Sequence, residues 1–221
     1  MRRLTFLVLL ILPTQAWAED FLIAFSADGA AYRATHAHTF AALATVEPGP
    51  DGKLRLCELH SLSWLPASGK VRALAMKPER GRNVPLHETL QQYAARGSRI
   101  SMWGPYRVQP EFSCMFKSRV ETVESTFAYK AASFLSPLKA CDCARAVEEM
   151  IDPHRRMIGI FGYGASASSV VVQKASPWII DSDSTCPEVS TLLGLDEYCI
   201  QRRCYGDFTS KREQFRASFS R

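Results

Sequence analysis

The 221-residue chain carries a formal charge of +5, and hydrophobic residues make up 47% of it. Arg2 and Arg3 lie at the N-terminus, and residues 201–221 hold six basic against two acidic side chains, so the stretch between is close to neutral. That distribution excludes a broad basic face of the kind that tracks a nucleic-acid backbone, and the length suits one domain, burying roughly 70% of its unfolded surface.

The first segment reads as a secretory signal: Met1-Arg-Arg, the apolar run Leu4 to Leu12, and the cleavage-type sequence Ala16-Trp17-Ala18. The apolar run is short for a membrane span. The expected organisation is a signal at 1–18, a single α+β domain at 19–200 and a basic tail at 201–221. A periplasmic or secreted location follows, which disfavours nucleic acid as a partner. It also changes how the seven cysteines are read, because thiols in an oxidising compartment generally pair. Cys57, Cys114, Cys141, Cys143, Cys186, Cys199 and Cys204 are odd in number. The expectation is a disulfide-braced domain with one thiol left over, either reactive or buried as a small hydrophobe.

Phe21 to Phe25 is an apolar run suited to a first strand. A loop then leads to His38, and Thr39 to Val46 has strand composition. Glu47-Pro-Gly-Pro-Asp-Gly-Lys53 signals a turn, and Leu54 to Trp64 alternates as a half-buried strand does. Residues 38–64 therefore predict a β-hairpin. Placing Val46 opposite Leu54 sets Phe40 opposite His60, which makes His38 and His60 diagonal neighbours on one face. A slip of one residue would separate them. Val71 to Met76 is a strand candidate, and Lys77 to Pro85 a basic loop. Pro85 to Ala95 and Glu111 to Phe127 have helical spacing, with Arg99 to Trp103 a strand between them.

Further on, Ser136 reads as an N-cap with Pro137 at the first helical position, for a helix running from Pro137 to Ile151. Met157 to Phe161 is a strand candidate, Gly162-Tyr-Gly164 a loop, Ala165 to Lys174 a short helix, and Trp178 to Ile180 an extended piece. The pattern as a whole predicts an antiparallel sheet with helices packed against it.

The candidate chemistry centres on Cys143. A thiol near a helix start meets amide hydrogens and the positive end of the macrodipole, which favour the thiolate. It also needs a base, and the base needs a third group to hold its tautomer. His38 is the candidate base, and His60, or Glu58 on the same strand, the candidate orienting group. The alternative is that both histidines are structural and both nearby cysteines are bridged. Cys141 and Cys143 are two apart and so face different sides of a helix, which assigns Cys141 to a bridge and leaves Cys143 free. A C-x-C pair without a further ligand cluster is weak support for a metal, so neither metal nor cofactor is expected.

Several blocks carry a resemblance together: His38-Thr-Phe-Ala-Ala-Leu-Ala-Thr, Leu59-His-Ser-Leu-Ser-Trp-Leu-Pro66, Ser101-Met-Trp-Gly-Pro-Tyr106, Tyr129-Lys-Ala131 and Asp142-Cys-Ala-Arg-Ala-Val147. They resemble a group of exported bacterial proteins with an H-T-x-S-W-L-P block and a late N-C-x-x-A-V block. More distantly, the order of histidine before cysteine is similar to that of permuted NlpC/P60 proteins, the lecithin-retinol-acyltransferase-like group. The resemblance implies a permuted papain-like core. It also implies a cysteine peptidase-like or amidase-like hydrolase, or an acyltransferase, with Cys143 as nucleophile and His38 as base. A cell-wall peptide is the implied substrate, and a lipid ester or amide the next. Asp142 stands where that block has asparagine, and Arg145 where a histidine is often found. A carboxylate beside the thiol raises its pKa, so a catalytically inactive envelope-binding domain is the alternative.

The remaining signals are weaker. His87 and His154 read as structural or solvated. Gly162-Tyr-Gly164 before a helix has the form of an anion-binding loop, and equally of a loop that needs positive φ. The basic tail interleaves Phe208, Phe215 and Phe219 with arginines and lysine, a composition suited to weak contact with an anionic surface.

Overall fold

The computed structural model describes residues 18–29, 37–72, 77–131, 139–151 and 164–206. Its centre is a five-stranded sheet in the order β3-β2-β1-β6-β9. The strands are β1 (Glu19–Asp28), β2 (His38–Pro48), β3 (Leu54–Leu62), β6 (Arg99–Val108) and β9 (Ile200–Arg203). All pairs are antiparallel except β6 with β9. A second, smaller sheet runs β4-β5-β7-β8, from Trp64–Pro66, Glu79–Asn83, Ala128–Tyr129 and Ala140–Cys141. The helices are α1 (Leu86–Ala95), α2 (Pro110–Thr126), α3 (Cys143–Ile151), α4 (Ala165–Ala175) and α5 (Pro187–Leu192). The mixed α+β class expected from the sequence is what the chain adopts.

The apolar runs of β1 and β2 are continuous because both faces of these central strands are covered. On one face Leu22, Ala24, Ala41 and Leu43 pack with Phe112 and Phe116 of α2, Val147 of α3 and Val171 of α4. On the other, Ile23, Phe25, Phe40 and Ala42 pack with Leu86, Leu90 and Tyr93 of α1 and Val189 of α5. Every one of these side chains is buried. At roughly 1.5–3 kcal/mol for each large apolar side chain withdrawn from water, the two layers supply the main drive that fixes the sheet between its helices.

Strand β6 runs five residues further than its sequence pattern implies, straight through Gly104-Pro105. The pairing with β1 absorbs the interruption as a bulge: Leu22 faces Tyr106 while Ala24 faces Trp103. Gly104 is required there. Its φ is +87°, and a Cβ would sit 2.6 Å from the Leu22 carbonyl oxygen.

The hairpin 38–64 forms, but its register differs from the expected one. The strands continue two residues deeper into the turn, so Pro48 faces Leu54 and Val46 faces Leu56. A bulge at Cys57 adds a further residue, after which Thr45 faces Glu58 and Leu43 faces His60. The net displacement is odd, so His38 and His60 lie on opposite faces of the sheet.

Strand β9, residues 200–203, spans the boundary expected between domain and tail. Three further expectations are corrected. The helix assigned to 137–151 begins only at Cys143, preceded by the short strand β8. Residues 79–83, read as loop, form β5. Disulfide bracing is not found: among the described residues no bridge is formed. The cysteines are dispersed, Cys57 on β3, Cys114 on α2 and Cys199 beside β9 being exposed, Cys141 and Cys143 buried on either side of Asp142. The expected signal segment to Trp17, residues 73–76 of the strand candidate 71–76, Ser136-Pro137, His154, the strand candidate 157–161 and the expected tail from 207 onward lie outside the described residues. No described helix is long and apolar enough to cross a membrane.

Candidate active site

Cys143 is the first residue of α3, and Asp142 caps that helix. The Asp142 Oδ1 accepts the Arg145 amide hydrogen at 2.9 Å, three residues on, as an N-cap side chain does. The local fold thus uses aspartate for the capping bond that asparagine can equally make. Arg145 is engaged elsewhere. Its guanidinium donates to the Ala140 carbonyl at 3.0 Å and to Glu149, which Arg119 also meets at 3.0 Å. This buried triad ties α3 to α2.

Strand β3 ends opposite Ala41, so the first residues of β2 extend past it, and α3 enters at that corner. The backbone amides of Thr39, Ala144 and Cys143 itself act to lower the Cys143 pKa. These donors favour a thiolate, as a helix start should. Burial outweighs them. The thiol is only 4% exposed, and desolvation, with the Asp142 charge second, pushes its pKa up to about 12. The expected activated thiolate is therefore replaced by a neutral thiol at rest. Cys141, also fully enclosed, is pushed up to about 12 by the same cause.

His38 begins β2 on the opposite face from Thr39. Its ring is sandwiched between Phe40 and Tyr93, with centroids 5.2 Å away on both sides and near-parallel planes. Phe25 continues the stack beyond Phe40 at 4.9 Å, and the Arg96 guanidinium lies 5.4 Å over the Tyr93 ring. Burial first, and the Arg96 charge second, lower the His38 pKa to about 3. The imidazole is neutral, with its two nitrogens differently placed. Nε2 is 2.9 Å from the Ser63 hydroxyl, whereas Nδ1 is buried with no hydrogen-bond partner among the described residues.

Thr39 relates the two residues: its backbone amide is among the groups that favour the Cys143 thiolate, and it follows His38 in sequence. The Tyr93 hydroxyl is raised in pKa by burial and then by the charge a Cys143 thiolate would carry. No hydrogen bond joins the thiol and the imidazole at rest.

The other two candidates are elsewhere. His60, 34% exposed, meets Glu58, 51% exposed, at 3.3 Å, and Glu58 bonds Lys117 of α2 at 2.5 Å. Those two contacts hold the Glu58 carboxyl below its ordinary range. Neither residue reaches His38. The register that placed them together was wrong by an odd number, and Ser63 occupies the position assigned to them. Ser63 is itself clamped: its amide donates to Asn83 Oδ1 at 2.8 Å, and its carbonyl accepts the Val84 amide at 2.9 Å. The available signal was the Ser-Trp-Leu-Pro block, where a small hydroxyl residue sits just past the hairpin's last pair.

A second helix start, that of α4, lies against Thr39. Thr39 Oγ1 donates to the Gly164 carbonyl at 3.3 Å, and Gly164 precedes α4 at φ +63°. The Asp28 carboxylate packs so closely that a Cβ at Gly164 would lie 1.9 Å from it. Of the Gly162-Tyr-Gly164 loop, this last glycine thus answers to backbone conformation and a close approach, with a protein carboxylate already seated against the helix end. Burial raises the Asp28 pKa, opposed by the Ala165 amide and the Ser26 hydroxyl. His87, one of the weaker candidates, meets the Tyr198 hydroxyl at 3.4 Å, away from this corner. Among the described residues no cluster of three or more histidine, cysteine or acidic side chains is arranged to hold a metal.

Comparison with models of known protein families, with curated proteins and with solved structures finds no match to this chain.

Proposed function

We propose that the chain is an exported thiol hydrolase of permuted papain-like design, acting on an amide or ester, with Cys143 as nucleophile, His38 as base and Ser63 as orienting group. One observation carries the reading above all. Among the described residues His38 Nδ1 is a buried nitrogen without a partner, in the residue next to Thr39, whose backbone amide favours the Cys143 thiolate, while the other nitrogen of the same ring is held. A satisfied core histidine has both nitrogens engaged.

In the proposed reaction the thiol proton passes to His38 Nδ1 as sulfur bonds to the carbonyl carbon and the carbonyl π pair moves onto oxygen. Collapse expels the amine or alcohol, which takes that proton, and leaves a thioester on Cys143. Water then attacks, giving its proton to Nδ1, and the carboxylic acid departs as the thiol is restored. With the resting pair neutral, proton transfer accompanies attack instead of preceding it. A peptide of the cell wall is the substrate class favoured by export and by the sequence resemblance, with a lipid ester or amide next.

A second reading has its own support. A thiol 4% exposed and an imidazole 1% exposed are what an inactive, ligand-binding envelope domain of the same ancestry would retain as core. Incubation of the purified mature protein with cell-wall muropeptides and with N-acyl and O-acyl lipids separates the two. Release of a new amine or alcohol, absent in Cys143→Ala, supports the hydrolase. Binding without turnover by both proteins supports the domain.

A further inference from the structure

We infer that Arg119 of α2 is a positioning residue for Cys143, gripping the backbone of the α3 turn that begins with that cysteine. Its bearing on catalysis rests on the hydrolase reading above; the grip on the helix does not.

The contacts form one connected set. Arg119 Nε donates to the Ala146 carbonyl at 2.8 Å. Its Nη2 donates to the Arg145 carbonyl at 3.4 Å and to the Glu149 carboxylate at 3.0 Å. Residues 145 and 146 close the turn that Cys143 opens. Glu149 also accepts from the Arg145 guanidinium, which donates in turn to the Ala140 carbonyl of β8 at 3.0 Å. The backbone on both sides of Cys143 is thus tied to one carboxylate, and through it to one arginine of another helix.

The base of the grip is held as well. The Arg119 guanidinium carbon lies 5.0 Å over the Phe127 ring. Phe127 leads directly into β7, which pairs with β8 just ahead of Asp142. One short stretch of chain, the end of α2 and β7, therefore meets both α3 and the strand before it. The Arg119 and Glu149 side chains are each 10% exposed, and bonds so enclosed are stronger than the same bonds in water.

A regular helix already uses the carbonyls of Arg145 and Ala146 for the amides of Glu149 and Met150. Each carbonyl has a second lone pair, so Arg119 bonds them without opening the helix. Only a planar fork of donors spans two successive carbonyls and a carboxylate together. A lysine ammonium can pair with Glu149 but forfeits that geometry. The other ion pair of α3 makes the contrast: Lys174 of α4 meets Glu148 at 2.5 Å, side chain to side chain. Lys174 balances a charge, whereas Arg119 holds backbone.

The test compares Arg119→Lys with Lys174→Gln in the purified protein. The maximal rate of Cys143 acylation by p-nitrophenyl acetate should fall about tenfold or more in Arg119→Lys, with KM little changed, and stay within about twofold of wild type in Lys174→Gln. Backbone hydrogen exchange gives a reading that needs no activity. The amides of Glu149 and Met150 should be among the slowest of α3 in the wild type, a result that needs no variant. In Arg119→Lys they should exchange about tenfold faster relative to the amides of α1 across the sheet, and in Lys174→Gln they should not. Fast exchange of these amides in the wild type overturns the grip. So does exchange unchanged in Arg119→Lys, or accelerated equally in both variants. Faster exchange with an unaltered acylation rate overturns the positioning of the thiol. A wild type with no acylation at all removes the hydrolase, and exchange alone then decides the grip.

Discussion

The β2–β3 hairpin carries two histidines in contrasting states. His38, at the open end, is stacked between aromatic rings, neutral, held at one nitrogen and, among the described residues, unpartnered at the other. His60, on the opposite face, sits in a half-exposed ion cluster with Glu58 and Lys117. By residue type the second group looks better suited to acid–base work, because it joins a histidine and a carboxylate. By burial the first differs: among the described residues one of its nitrogens has no partner. His60 keeps both solvent exposure and its contact with Glu58.

Mutating the two groups in parallel breaks or sharpens that contrast, and the largest effect belongs to the buried corner. Cys143→Ala should abolish thioester formation, and His38→Gln should slow it by about 10²–10⁴, while His60→Ala and Glu58→Gln stay within about twofold of wild type. Loss of activity in the His60 or Glu58 variants alone would reverse the assignment.

Next in size is the ion chemistry. Glu149→Gln leaves Arg119 and Arg145 without their shared carboxylate in a buried setting, and should lower stability by about 3 kcal/mol in a denaturant titration. Lys117→Ala, which cuts the exposed partner of Glu58, should leave the unfolding midpoint where it was. Equal losses from both would show that the surface cluster is structural.

Acid should expose the same difference. Folded His38 is lowered to about 3 from an ordinary 6.5. Between those values the unfolded chain binds the proton and the folded one does not, so stability is full above pH 6.5 and declines as pH falls toward 3. The decline attributable to His38 is about 2 kcal/mol by pH 5. His38→Phe, which keeps the stack, should flatten that part of the profile, and His60→Gln should not. A wild-type profile that is flat from pH 7 to 5 would contradict the burial of His38.

The smallest effect concerns Asp142. Asp142→Asn retains an acceptor for the Arg145 amide, so helix α3 should keep its cap. Removal of the charge should lower the Cys143 pKa while leaving it above an ordinary thiol, because burial is the larger cause. Alkylation followed against pH reads this directly. A thiol that reacts at neutral pH in the unmodified protein would show that the corner opens readily.

Much of the fold was legible in the sequence. The hairpin, α1, α2 and α4 announce themselves through period and turn chemistry, and the match at Leu86–Ala95 and Pro110–Thr126 is close. What failed did so for local reasons. A turn two residues tighter than expected and a bulge at Cys57 changed which face His60 occupies, and neither leaves a mark on hydrophobic alternation. The β5 segment is Glu-Arg-Gly-Arg-Asn, with no hydrophobic alternation; it pairs with β4 and β7, and Trp64 packs where a Cβ at Gly81 would lie. Helix α3 begins at its second available cap, Asp142, because Ala140 and Cys141 pair with β7 first.

The two principal members of the proposed site were legible in the sequence and its surroundings were not. Cysteine and histidine stand out because few residue types do that chemistry. Ser63, Thr39 and Tyr93 do not, since their places near these residues arise from where β3 stops and how α1 is placed. Electrostatics were misjudged in the same way. A helix start lowers a thiol pKa only while the thiol keeps enough solvent, and the depth of Cys143 is a tertiary property.

The account depends most directly on whether Cys143 can be acylated with His38 as its base. Incubation of the purified protein with p-nitrophenyl acetate, followed by acid quench and peptide mass spectrometry, places any acyl group on a residue. An acetyl thioester at Cys143, formed in wild type and in His60→Ala but strongly reduced in His38→Gln, is the predicted result. Acylation that is absent from Cys143 in the folded protein, or unchanged in His38→Gln, would contradict it.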